Sequence, residues 1–366
     1  MSSAKYERVL SIQSHVAYGY VGGKAAVFPL QLLGYDVDVV NTVNFSNHAG
    51  YRQAGGTKAT AADLSDMFTI MKKNGFLRPT RLLTGYVPGA EGLTSVAKLS
   101  EDLYGENPGL VYLLDPVIGD AGRLYVAADV IPVYRSMLPR ATIITPNWFE
   151  VEVLTNVKIV DHISLHKAIS ILHKIYQVPH VIISSIPIKK WLYDLLPRHI
   201  RPSEAADNEE DVASYLLCVA SSRVTDGSYP ASVSAACVPI IPGYFSGVGD
   251  LFSALVLGHY NPSSSSTAPE SLSRAASLAL TKTHAILQLT YEYSESLPPE
   301  DRQPTDEELD AQDPTRRIRR MSGRELRLVQ GQDILRGAAA LPVRELRIWD
   351  GFWNGYSPVS EQLDPQ

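Results

Sequence analysis

The 366-residue chain predicts an α/β fold: a mostly parallel central sheet with helices on both faces, three layers in all. Three observations carry this. Short β-branched or apolar runs alternate with helical stretches along most of the chain, the rhythm of strand–helix–strand units. Several of the strand runs are almost continuously apolar, as strands covered on both faces must be. After residue 185 the rhythm breaks, and two neighbouring strand-like runs predict an antiparallel end to the sheet.

In order, the predicted strands are 8–14 (RVLSIQS), 36–44 (DVDVVNTVN), 81–87 (RLLTGYV), 109–117 (GLVYLLDPV), 141–146 (ATIITP) and 180–185 (HVIISS). Helices are predicted between them near 24–34, 60–74, 91–104, 129–137 and 164–177. The polar stretch 197–212 reads as a surface insertion before strands 214–221 and 232–241. A short apolar helix over 248–260 and a longer one over 269–296 follow, separated by the Ser-rich run PSSSSTAPE. Residues 298–322 join an acidic block (DEELDAQD) to a basic one (TRRIRR), and low hydrophobicity makes them a disordered linker. The segment 323–336 (GRELRLVQGQDILR) alternates like an edge strand before a short helix. The organisation is thus one domain over 1–297, a linker, a closing strand and helix over 323–336, and an extension over 337–366. Trp349, Phe352 and Trp353 mark that extension as able to dock.

Composition excludes several classes. Lys plus Arg number 33 against 39 Asp plus Glu, a net charge of −6, so the chain has no overall attraction to nucleic acid or anionic lipid. No apolar stretch approaches the roughly 20 residues of a membrane span, and the first residues lack the apolar core of a secretory signal. The two cysteines, Cys218 and Cys237, lie in apolar runs and cannot form a disulfide framework. A cytoplasmic protein is expected. The basic run Arg316–Arg320 beside Ser322 fits a solvated segment, and leaves nuclear presence open.

The chemistry is expected where ligands bind open parallel sheets, at the carboxyl ends of the strands. Those ends are polar here: Ser14, then Asn44 to His48, Thr84 to Tyr86, Asp115 to Asp120, Thr145 to Asn147, and Ser184 with Ser185. The sharpest feature is Gly247-Val248-Gly249-Asp250, which opens the apolar helix. Two glycines let the backbone turn tightly, and a helix start offers unpaired N–H donors to phosphate oxygens. Asp250 there is equally well a helix cap or a general base. Asp115, Asp120 and Glu150 supply hard oxygens of the kind Mg²⁺ takes, or else cap turns and a helix start near Asn147.

The segments VLSIQSHVAYGYVGGKAAVFPLQLLGYDVDVVNTVNFSNHAGY (9–51), LTGY (83–86), LDPVIGD (114–120), IITPNWFE (143–150) and GVGDLFSA (247–254) occur in an order that resembles the pyridoxal kinases of the ribokinase-like superfamily. The resemblance runs from about Arg8 to Arg336 and includes LRLVQ near 326 as the family's final strand. It implies the three-layer ribokinase-like fold and transfer of the ATP γ-phosphate to the 5′-hydroxymethyl of pyridoxal, and of pyridoxine and pyridoxamine. Asp250 matches the general base, and Gly247 and Gly249 the anion hole. Ser14, Val43, Phe45, His48 and Tyr86 match the pyridoxal pocket. Asp120, Asn147, Ser184, Ser185 and Val248 fall on the ATP side. Asp115, Thr145 and Glu150 fall where the family holds Mg²⁺ and a monovalent cation, expected to be K⁺. A homodimer is implied as well. Val248 and Ala49 stand where the family has Thr, and Ser246 where it has Val; none removes the base or the glycines. Rival readings are a related kinase of another hydroxymethyl heterocycle or a sugar, and a B6-binding protein without turnover.

Overall fold

A computed structural model describes residues 7–202, 212–224, 230–262 and 267–356. The first part alternates except for the short strand β3: β1 (Arg8–Val16), α1 (Gly23–Leu32), β2 (Asp36–Phe45), β3 (Gly56–Lys58), α2 (Ala61–Lys73), β4 (Arg81–Thr84), α3 (Ala90–Glu106) and β5 (Val111–Leu114). A small hairpin of β6 (Gly119–Asp120) and β7 (Arg123–Leu124) precedes α4 (Val130–Met137), β8 (Ile143–Ile144), α5 (Trp148–Thr155), α6 (His162–Lys174) and β9 (His180–Pro187). Then come α7 (Lys190–Leu195), β10 (Tyr215–Arg223), β11 (Ala231–Pro239), α8 (Val248–His259) and α9 (Ala268–Ser296). The last elements are α10 (Glu307–Gln312), α11 (Pro314–Gly323), α12 (Gln332–Arg336) and β12 (Arg347–Ile348).

The ten-stranded sheet runs β3-β2-β1-β4-β5-β8-β9-β10-β11-β12. From β2 to β9 all neighbours are parallel; β10 and β11 add the antiparallel end that the broken rhythm after residue 185 predicts, and β3 and β12 add antiparallel edges that it does not. Successive side chains of a strand face opposite ways, so each apolar run feeds two cores. Leu10, Ile12, Leu82, Tyr112 and Leu114 pack with α2, α3, α4 and α6 on one face. Val9, Leu83, Val111 and Leu113 pack with α1, α8 and α9 on the other. Among the described residues no helix is long and apolar enough to cross a membrane. Cys218 and Cys237 are unbridged, and burial pushes both thiols up to about 12.

The region after α9 departs from expectation. Residues 298–322 are not a disordered linker: α10 and α11 form there, and Arg316 and Arg320 are buried rather than solvated. Both pair with the buried Asp310, Arg320 Nη2 at 2.6 Å from Oδ2, and Arg316 Nη2 donates to the Pro304 carbonyl at 2.6 Å. A segment too polar for an apolar core is here ordered by satisfying its own charges, which composition does not reveal. Nor do residues 326–330 form a strand. Leu326 and Leu328 are buried in the expected alternation, but Arg327 donates its N–H to Thr290 Oγ1 in α9. The free edge of β11 is taken instead by β12, from the C-terminal extension. That extension docks: Trp349, Phe352 and Trp353 are buried, and Trp353 Nε1 donates to the Ala231 carbonyl at 2.6 Å. Of the expected insertion at 197–212, residues 203–211 lie outside the described residues.

Candidate active site

The carboxyl ends of β1, β2, β4, β5, β8 and β9 open into one cleft of about 620 Å³, closed on its far side by the start of α8 and by α9. Every residue nominated from the sequence lines it. A β-bulge between Gln13 and Ser14 sets the pairing at the tips of β1 and β2, so that Ser14 lies opposite Val43 and Val16 opposite Phe45. Tyr86 follows β4, its backbone carbonyl accepting from Thr42 Oγ1 at 2.7 Å, and burial raises its phenol above the ordinary range. Apolar groups, an aromatic ring and a hydroxyl thus meet at one end, a setting suited to a flat heterocycle.

At the start of α8, Gly247 is the N-cap with φ of 79°, and a Cβ there would lie 2.0 Å from the Tyr20 carbonyl oxygen. Only glycine fits that turn. Helix geometry leaves the N–H groups of Val248, Gly249 and Asp250 without intrahelical acceptors at the cleft wall. Asp250 makes no cap for its own helix. Its Oδ2 instead accepts the N–H of Gly22 at 2.8 Å, across the cleft floor. Burial lifts this carboxyl above the ordinary carboxylate range, and the Gly22 N–H works against the rise. The capping role open to Asp250 in the sequence is therefore not taken up.

Two buried carboxyls, Asp115 and Glu150, stand nearby. Asp115 is pushed up to about 8, by burial first and by Asp250 second; Ser253 Oγ donates to its Oδ2 at 3.0 Å and opposes the rise. Ser253 Oγ also lies 2.8 Å from Thr145 Oγ1. Glu150 is raised well above its usual value, by burial and then by Asp115. Its oxygens are spent on backbone: Oε2 accepts Asn147 N–H at 2.9 Å and Oε1 accepts Ile118 N–H at 2.9 Å. Asn147 caps α5 in return, and its Nδ2 donates to the Gly119 carbonyl at 2.8 Å. Asp120 accepts the Ala121 N–H at 2.7 Å and holds the tight turn of the β6–β7 hairpin. The helix-start and turn roles open for Glu150 and Asp120 are thus filled, while both groups still face the cleft.

A pH dependence follows. With Asp115 raised in the folded chain, the native state binds its proton more tightly than the unfolded one between about 3.9 and about 8. Its contribution to stability therefore falls as pH rises through that window. Thermal melts of magnesium-free protein should show wild type losing stability relative to Asp115→Asn between pH 5 and pH 8. A constant difference between the two would refute the raised carboxyl.

Sequence reasoning missed some of the site. Glu325 lies in a segment read as a strand, yet its carboxylate accepts from His48 Nε2 at 2.9 Å, Tyr51 Oη at 2.8 Å and Tyr20 N–H at 2.7 Å. His48 Nδ1 accepts the Gly50 N–H at 3.0 Å. Both ring nitrogens are therefore occupied, and His48 meets the cleft with its ring rather than with a free hydrogen-bonding atom. On α9, Thr283 Oγ1 and His284 Nε2 are buried in the cleft wall beside Leu280 and Leu287, without hydrogen-bond partners among the described residues. No motif announces them.

Residues 82–203 match the family model of phosphomethylpyrimidine kinase. The chain is 36% identical over 330 residues to the pyridoxal kinase of Arabidopsis thaliana, covering 90% of this chain and 91% of that one. It is 36% identical over 290 residues to the pyridoxal kinase of Homo sapiens, covering 77% and 85%. The chain belongs to the pyridoxal kinase family. The fold agrees. Pyridoxal kinase from Leishmania donovani, solved in complex with ADP and pyridoxamine, superposes with a TM-score of 0.72 at 29% identity, over 93% of this chain and 99% of that one. Membership in the pyridoxal kinases accounts for the shared three-layer sheet, and the chain is read below as an ATP-dependent kinase of that family.

Proposed function

We propose that this pyridoxal kinase relative transfers the γ-phosphoryl group of ATP to the 5′-hydroxymethyl of pyridoxal, and also accepts pyridoxine and pyridoxamine. The carrying observation is Asp250, half-buried at a helix start, free of a capping bond and held by Gly22 at the floor of the cleft. There it accepts the proton of the attacking hydroxyl, while the N–H groups around Gly247 and Gly249 receive the charge on the transferring group. Ser14, Val43, Phe45, Tyr86 and the ring of His48 form the pocket for the heterocycle. Asn147, Asp120, Ser184, Ser185 and Val248 lie toward the nucleotide. The Leishmania donovani relatives solved with ADP and pyridoxamine, and with ADP and pyridoxine, support this reading.

The residues fit a divalent cation. Asp115 and Glu150 are hard, buried carboxyls; after burial, Asp250 raises Asp115 and Asp115 raises Glu150, a repulsion a cation relieves. Among the described residues no group of three or more His, Cys, Asp or Glu forms a cage, and Mg²⁺ commonly takes only one or two carboxylates with substrate phosphates. Asp115 is the direct candidate, with Thr145 beside it for a monovalent cation such as K⁺ and Glu150 acting by charge. When bound, the divalent ion neutralises phosphate charge; positioning falls to the chain's own residues.

The test is ADP release across pyridoxal, pyridoxine, pyridoxamine, hydroxymethylpyrimidine and ribose, with Mg²⁺ and K⁺ present. Turnover is expected with the B6 vitamers and should stop in excess chelator. A preference for hydroxymethylpyrimidine would overturn the acceptor assignment, and full activity under chelation would remove the metal.

A further inference from the structure

Glu325 joins the two loops on which the cleft depends, beside the edge-on contact of the Tyr18 and Tyr51 rings. Its Oε1 receives Nε2–H of His48 and the hydroxyl of Tyr51, both from the 47–53 loop. Its Oε2 receives the N–H of Tyr20 in the 17–22 loop, whose Gly22 holds Asp250. The approach is built for a carboxylate. Gly19 has φ of 91°, and a Cβ there would lie 2.5 Å from Glu325 Oε1, so only a glycine lets the loop come this close. Because His48 Nδ1 is used as an acceptor for Gly50, it is Nε2 that donates to Glu325. Three donors thus converge on one side chain, and the hydrogen bonds prevail over burial to keep Glu325 below its ordinary value.

We infer that Glu325 is a positioning residue of the phosphoryl transfer, fixing the His48 wall of the acceptor pocket and, through Tyr20 and Gly22, the carboxylate of Asp250. Glutamine cannot replace it. A carboxylate only accepts, whereas an amide must turn its NH₂ toward at least one of the three donors. The inference rests on the proposed pyridoxal kinase activity for its kinetic form, but not for its binding form.

Glu325→Gln and Tyr51→Phe are compared with wild type in steady-state kinetics and in calorimetric titration of pyridoxal without ATP. For Glu325→Gln, kcat/KM for pyridoxal and pyridoxal affinity should each fall about tenfold, the scale of one lost hydrogen bond to a charged group. KM for ATP should stay within about twofold of wild type, an effect well under 1 kcal/mol. Tyr51→Phe, which removes one donor and leaves the carboxylate, should show a smaller loss of the same pattern, and it decides the matter alone if Glu325→Gln does not fold. Unchanged pyridoxal parameters, or an equal loss for both substrates, would overturn the inference. If wild type binds pyridoxal but releases no ADP, the kinase reading fails, and the titrations still answer for Glu325.

Discussion

Replacing Asp250 by Asn should lower kcat by about 10²- to 10⁴-fold, the range for a lost general base, while the KM for ATP stays close to wild type. The reason lies in what the substitution preserves. Asparagine keeps an oxygen that can accept the Gly22 N–H, so the cleft floor retains its shape. It removes only the capacity to take a proton. The raised Asp250 carboxyl also makes its conjugate acid weaker than an ordinary carboxylic acid, which suits proton acceptance from an alcohol. Single-turnover measurement at saturating pyridoxal checks this, and a variant within a few-fold of wild type would show that Asp250 only shapes the turn.

The second large effect is expected from Gly247→Ala. Its backbone sits at φ of 79°, and the added methyl would fall 2.0 Å from the Tyr20 carbonyl oxygen. The helix start must shift or the 17–22 loop must retreat, and either movement displaces the amides and the Gly22 contact to Asp250. Loss of one such donor elsewhere costs about 10²- to 10³-fold in kcat, and a lower melting temperature should accompany it. Gly249→Ala is the control. Its Cβ would meet nothing nearer than Asp115 Oδ2 at 4.0 Å, and its φ is not positive, so it should melt near wild type. Equal melting temperatures for the two alanine variants would contradict the strain argument.

The parallel strands and their helices were legible because their signal is local: alternation within a strand places Leu82 in one core and Leu83 in the other, whatever lies elsewhere in the chain. The short runs 143–144 and 111–114 came out longer from the sequence, since apolar residues continue past the last ladder hydrogen bond. The helices α10 and α11 were illegible for the opposite reason. Arg316 and Arg320 look solvated until Asp310 is seen between them.

The same division holds at the site. Residue types and glycine spacing were enough to nominate the polar strand ends and Gly247-Val248-Gly249-Asp250, because a tight turn before an apolar helix is written in neighbouring residues. What those side chains touch is decided only by contacts between distant parts of the chain. Asp250 reaches Gly22 across 228 positions instead of capping its helix. His48 spends its second nitrogen on Glu325, 277 positions away. A hydrogen bond depends on where two atoms meet in space, and a separation of that length leaves no periodic trace along the sequence.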